Sequence, residues 1–337
     1  MKITFRGVRG SFPVAAAHVL RYGGNTPCIQ IDADPLAILI DAGTGIRTAG
    51  DDLVRREVDD IHLLISHTHW DHIQGLPHFA PLYREGTHLH IYALERPDRS
   101  LRDVLRGQQR APFFPVPLDE MPARITCTEL ADGQQLAIGD LQVTCRRLNH
   151  PGVACGYRIE RGEQALAYIC DADLTTSLLL GEGMETSTEG EERQWLEHLK
   201  KGARDLAHGA DLMVCDTFFL PEEYKPDWGH SRPEDALHLG LTAGVRRIAF
   251  FHHDPHRNDD QLDAVLERYR PEAAGAFDLV AAAEGMEFSN PYEKMGFSYT
   301  EANTDIWFTD VRIPKRYRID TRPGQGSQLI KGYVIGL

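Results

Sequence analysis

The chain has no C-x-x-C pair, no internal repeat and no low-complexity stretch, and no apolar run approaching the roughly 18 residues that a membrane-spanning helix needs. Each absence excludes a class. Six cysteines scattered among apolar runs (Cys28, Cys127, Cys145, Cys155, Cys170, Cys215) argue against a disulfide framework or a thiolate-metal knot and for reduced core thiols. The first residues, Met1-Lys2-Ile3-Thr4-Phe5-Arg6, lack the apolar core of a signal peptide, so a cytoplasmic protein with no membrane partner is expected. Basic residues are scarce: 36 Lys and Arg face 50 Asp and Glu, a formal charge of −14. That field repels polyanions, so a long nucleic acid is not the expected partner. What remains is ordinary globular composition over 337 residues, enough for one large domain and an appendage.

Short strands joined by Gly-rich turns are predicted through the first half, at residues 2–5, 28–31, 36–41, 63–65, 89–93, 125–128, 136–138, 141–148, 156–160 and 165–170. Helices are expected later, near 191–208, 232–243 and 259–269, with strands at 212–215 and 248–251 between them. Ser231 and Glu234 form a capping-box pattern for the second helix, and Gly244 closes it. Strands first, then strands interleaved with helices, predict an α/β fold of two mixed sheets packed face to face with helices outside. The organisation expected is a catalytic domain over residues 1–288 and an extension over 289–337. That extension is rich in aromatic residues such as Tyr292, Trp307 and Tyr333, and it is expected to pack on the domain or on a second subunit of a homo-oligomer, a dimer in the simplest case.

Histidine is abundant, at sixteen. The decisive stretch is His67-Thr68-His69-Trp70-Asp71-His72, directly after the apolar run Leu63-Leu64-Ile65. Three imidazoles and a carboxylate on a turn leaving a strand converge on a small volume, and a metal is the economical partner for them. This H-x-H-x-D-H run resembles the signature of the metallo-β-lactamase superfamily, and the likeness extends from Met1 to about Phe288. It includes Gly7-Val8-Arg9-Gly10-Ser11, Tyr22-Gly23-Gly24-Asn25-Thr26, Asp41-Ala42-Gly43-Thr44-Gly45 and Asn149-His150-Pro151-Gly152, elements similar to those of the ribonuclease Z and small-phosphodiesterase branch. The resemblance implies a metallo-β-lactamase-like αββα sandwich. It also implies a first metal on His67, His69 and His150, a second on Asp71, His72 and His252, and Asp171 between them. Asp173 competes with Asp171, and His253 and His256 with His252; Asp171 and His252 are preferred because each directly follows a predicted strand. His253 is then expected beside the site, with Asp254 orienting an imidazole.

Two divalent metal ions, Zn²⁺ in the first instance with Mn²⁺ and Fe²⁺ also suited to imidazole and carboxylate donors, imply hydrolysis by an activated bridging water. The segment Trp228-Gly229-His230-Ser231 resembles the Gly-His-Ser of ribonuclease Z and related phosphodiesterases. It implies that His230 protonates a leaving alkoxide, with Asp71 the other catalytic residue. Ribonuclease Z grips precursor tRNA with a long basic arm; here residues 99–125 hold instead the compact Ala111-Pro112-Phe113-Phe114-Pro115-Val116-Pro117. Phe113, Phe114 and Trp228 either stack a nucleobase or pack in the core, and Arg102, Arg106 and Arg110 meet either a phosphate or solvent. The expectation is a hydrolase of a small-molecule phosphodiester, with a cyclic nucleotide the leading candidate. A lactonase-like carbonyl hydrolase and a non-catalytic metal-binding sensor or scaffold are the alternatives.

Overall fold

Long stretches of Val, Ile and Leu that stay apolar on both faces belong to strands covered on both sides, and two such sets build this molecule. The computed structural model describes residues 1–174 and 189–289. The first sheet comprises β1 (Lys2–Gly7), β2 (Cys28–Ala33), β3 (Leu36–Ile40), β4 (Asp60–Ile65), β5 (His88–Leu94), β6 (Arg124–Leu130) and β14 (Glu287–Ser289), in the order β14-β1-β2-β3-β4-β5-β6. The second comprises β7 (Gln135–Ile138), β8 (Leu141–Arg147), β9 (Cys155–Arg161), β10 (Gln164–Ile169), β11 (Leu212–Asp216), β12 (Arg247–Phe251) and β13 (Asp278–Ala281), in the order β13-β12-β11-β10-β9-β8-β7. Each is mixed: β3 to β6 and β10 to β13 run parallel, and the remaining neighbours antiparallel.

Inward side chains of both sheets share one core, with Phe5, Ile29, Ile31, Ile38 and Ile40 facing Val143, Tyr157, Ile159, Tyr168 and Phe251. Two further cores lie outside. One covers the first sheet beneath α1 (Ile46–Arg55) and α3 (Leu101–Gln108); the other covers the second sheet beneath α4 (Glu189–Ala207), α5 (Pro233–Ala243) and α6 (Asp259–Ala273). A four-residue turn, α2 (Trp70–Ile73), lies within the His-rich loop. The layers are therefore helix, sheet, sheet, helix, the αββα sandwich expected. The five buried cysteines and the half-buried Cys127 are all free thiols, as the scattered spacing predicts. The aromatic extension expected over residues 289–337 lies outside the described residues beyond Ser289, which ends β14.

One local expectation needs correction. Ser231 does not cap α5: its hydroxyl donates to the Ala172 carbonyl, and the helix starts one residue later, with the Asp235 carboxylate accepting from the Arg232 backbone N–H at 3.0 Å. Helix α1 is not among the expected helices, and Gly50 in its middle weakens its helical signal. Gly50 is there for space, since a Cβ would stand 2.9 Å from the Phe79 ring.

Phe5 is fully buried between the sheets, with ring centroids 5.8 Å from Phe251 and 5.9 Å from Phe288. Phe5→Ala is expected to cost about 3–5 kcal/mol, read as a lower urea midpoint with an unchanged slope.

Candidate metal centre

The parallel strands of each sheet point their carboxyl ends to the same edge of the sandwich, where ligand sites of α/β folds form. Ser66 to His72 leave β4 there, His150 follows β8, Asp171 follows β10, Asp216 ends β11 and His252 follows β12. Asp41, Asp171 and His252 each take the left-handed conformation at a strand exit, with φ of 61°, 49° and 57°. A non-glycine residue held there costs of order 1–2 kcal/mol, and the reversal sends the side chain into the cleft rather than along the sheet.

Two groups of donor atoms result. In the first, His150 Nε2 lies 3.1 Å from His69 Nδ1, and Asp171 Oδ2 lies 3.5 Å from His67 Nε2 and 3.9 Å from His150 Nε2. In the second, His72 Nε2 lies 3.3 Å from His252 Nε2, 3.4 Å from Asp71 Oδ2 and 3.3 Å from Asp171 Oδ1. His252 Nε2 completes that group at 3.1 Å from Asp71 Oδ2 and 3.2 Å from Asp171 Oδ1. Asp171 thus gives one oxygen to each group. Bonds of about 2.0–2.2 Å to a tetrahedral ion set donors roughly 3.3–3.6 Å apart, which is close to this spacing.

The donor set fits divalent ions on a second count. His67 Nε2 is buried with no hydrogen-bond partner, and imidazole nitrogens face one another across both groups. Such atoms are costly unless a proton or cation lies between them. Nitrogen and oxygen donors without thiolate suit Zn²⁺, Mn²⁺ or Fe²⁺. His69 is exposed while His67, His150 and Asp171 are buried, so the first group opens toward solvent.

Behind these donors a shell of partners fixes the rings. Asp41 Oδ2 binds His72 Nδ1 at 2.8 Å and accepts from the Tyr168 hydroxyl at 2.6 Å and the Ser66 hydroxyl at 2.8 Å. His150 Nδ1 meets the Gly229 carbonyl at 2.8 Å, which puts the proton on Nδ1 and leaves the Nε2 lone pair facing the group. The Cys170 thiol, pushed well up by burial and by Asp171, donates to Asp171 Oδ1 at 2.8 Å. Burial would raise the Asp71 carboxyl, but His72 and His252 against it hold it well below the usual range, and the Ser11 N–H donates to it at 2.7 Å.

His230 sits beside both groups. Its Nδ1 lies 2.8 Å from Asp216 Oδ2, and donor atoms of Asp171, Asp216, His230 and His252 all fall within 4.8 Å of one another. Burial works against its charge, yet the Asp216 carboxylate outweighs burial and raises the imidazole to about 9. The ring therefore keeps a proton at neutral pH.

All seven nominated donors converge, and so does His230. Their neighbours do not. His253 turns away, its Nε2 on the Ala282 carbonyl at 2.9 Å, so it does not face the cleft. Asp254 orients the exposed His256 rather than a site imidazole, and Asp173 accepts from the Tyr224 hydroxyl. Arg102 and Arg106 both pair with Asp119, and Arg106 also with Asp103, which offsets their charge. Asp41, Ser66, Tyr168, Cys170 and Asp216 went unnominated. Asp41 and Asp216 carry the same signal as Asp171, an Asp closing an apolar strand, but Tyr168 reads only as core.

A family model described as a beta-lactamase superfamily domain matches residues 37–187, a span holding six of the seven donors. Over that span the chain resembles the metallo-β-lactamase superfamily. Among curated relatives, ribonuclease Z of Sulfolobus acidocaldarius is 24% identical over 276 residues, covering 74% of this chain and 87% of that one. A ribonuclease Z of Exiguobacterium is likewise 24% identical, over 283 residues. The metallo-β-lactamase fold protein YhfI from Bacillus subtilis superposes with a TM-score of 0.59 at 18% identity, covering 86% of this chain and 98% of that one. Human tRNase Z, short form, gives 0.57 at 17% identity, covering 86% and 100%. The donor groups and the relatives named ribonuclease Z together support a metal-dependent hydrolase. Among the described residues no helix is long and apolar enough to cross a membrane.

Removing the charge that orients His72 tests the shell. Asp41→Asn is expected to weaken metal binding about 10–100-fold with the fold intact, measured by chelator competition and circular dichroism.

Proposed function

We propose that the chain is a phosphodiesterase that holds two divalent ions, Zn²⁺ in the first instance, and cleaves a small phosphodiester, with a cyclic nucleotide the leading candidate. The observation that carries this reading is His230: a buried imidazole, protonated through Asp216, placed within reach of Asp171 and His252. An alkoxide leaves a phosphodiester only with a proton supplied or its charge neutralised, and this ring is poised to donate one. His67, His69 and His150 would hold one ion and Asp71, His72 and His252 the other, with Asp171 between them. Bound there, the pair of ions would lower the pKa of water and neutralise phosphate charge. Asp71, its Oδ2 fixed by the Ser11 N–H and facing His252, would orient the attacking water.

Substrate size is argued from charge and shape. The net −14 and the pairing of Arg102 and Arg106 with Asp119 leave little to hold a polyanion. Trp70 and Trp228 are exposed and adjoin site residues in sequence, so each can stack a single base. Phe113 is exposed too, whereas Phe114 packs on the core beneath α3. The curated relatives are named ribonuclease Z, which makes precursor tRNA the necessary competitor in any assay.

His230→Ala is expected to slow hydrolysis of a cyclic nucleotide about 10²–10⁴-fold at unchanged metal content. The loss should be much smaller on bis(p-nitrophenyl) phosphate, whose phenolate needs little protonation. Faster turnover of acyl lactones than of any phosphodiester would overturn the reading, and efficient cleavage of precursor tRNA would overturn the small-substrate part of it. A companion variant, Asp171→Ala, is expected to lose bound metal and most activity together, read by elemental analysis.

A further inference from the structure

A second set of metal-ligating side chains stands on β4 and β5, away from the centre just described. Alternation along the strands puts Asp60 and His62 on one face of β4 and His88, His90 and Tyr92 on the same face of β5, with Asp60 paired to His88 and His62 to His90. From β6, Arg124 lies opposite His88 and Thr126 opposite His90. These residues occupy the entry ends of the strands, while the His67–His72 loop leaves the exit of β4. Five strand steps of about 3.3 Å separate His62 from His67 by roughly 16 Å.

The donors are already close. An Asp60 oxygen and a ring nitrogen from each of His62 and His90 lie within 4.8 Å of one another, and both Nε2 atoms stand 3.4 Å from Asp60 Oδ1. That is long for a hydrogen bond and matches the donor spacing of the main centre. The other ring nitrogens are occupied, His62 Nδ1 by the Tyr92 hydroxyl at 3.1 Å and His90 Nδ1 by the Thr126 hydroxyl at 3.0 Å. The two imidazoles stack with centroids 4.6 Å apart and 8° between their planes, so both edges turn to the same carboxylate. Burial pushes His62 down to about 4, which keeps its ring neutral at neutral pH, the form that ligates. Beside them the His88 ring lies 3.7 Å from that of His90, and its buried Nε2 has no hydrogen-bond partner.

We propose that Asp60, His62 and His90 form an additional divalent-cation site, separate from the main centre. Two imidazoles and a carboxylate select a borderline ion such as Zn²⁺ or Ni²⁺ over Mg²⁺ or Ca²⁺. The nearby Arg124 opposes a cation, but it is exposed and screened by solvent. An ion held here cross-links β4 to β5 at the end opposite the loop that β4 delivers to the main centre.

The test is equilibrium dialysis of the full chain, its main centre loaded, against micromolar free Zn²⁺, followed by elemental analysis. Wild type is expected to hold about one equivalent more than either Asp60→Asn or His90→Gln, whatever the occupancy of the main centre. Added Zn²⁺ should also raise the unfolding midpoint of wild type by a few degrees more than that of either variant. His90→Gln gives an independent reading should Asp60→Asn fold poorly, because His90 lies nearer the surface than His62. In Asp171→Ala the extra equivalent should persist, which separates this site from the main one. Equal metal content in wild type and both variants, or loss of the extra equivalent in Asp171→Ala, would overturn the proposal.

Discussion

The carboxylate of Asp171 is the constraint around which the cleft is organised. One oxygen faces His67 and His150 and the other faces His72 and His252, so residues from the first sheet and the second meet on a single side chain. Placing it requires the sandwich. β10 must carry Asp171 to the same edge to which β4 carries the His-rich loop, and the left-handed turn at φ 49° must swing it inward. A buried carboxylate is costly unless surrounded by opposite charge, and here the imidazoles and any ions they hold supply it.

The same logic repeats one layer out. Asp41, Asp171 and Asp216 each close an apolar strand at the cleft edge, and two of them grip the far nitrogen of a histidine, Asp41 on His72 and Asp216 on His230. The two pairs differ in consequence. His72 shows its other nitrogen to Asp71 and Asp171, whereas His230 lies at the margin and is raised by Asp216. The same Asp–His pairing thus has two electrostatic outcomes, according to what faces the second nitrogen.

Much of this was readable along the chain. Apolar runs ending in Asp or His located most strands to within a residue or two, since strands buried on both faces have no other composition open to them. The run His67 to His72 announced the centre because six consecutive residues cannot escape one another. His252 and His253 are the harder case. Both follow β12, and only the direction of the turn separates them: the positive φ of His252 sends it to the cleft, and His253 then points to Ala282. Helix α1 was obscured by a glycine retained for close packing on Phe79, and Ser231 was drawn from its cap by a carbonyl distant in sequence.

By itself the sequence determined the sandwich, the metal-ligating residue types and the acidic surface, because periodicity, local spacing and net charge are properties of neighbouring residues. The tertiary structure alone decided which oxygen of Asp171 faces which group, that Tyr168 crosses the sandwich to reach Asp41, and that the Asp216 carboxylate pairs with His230. It also brought Asp60, His62 and His90 together, a juxtaposition that no stretch of chain displays, since strand register places residues nearly thirty apart side by side. Those relations depend on the packing of one sheet on the other and on the pairing of one strand with the next, which act across sequence distances that local pattern does not record.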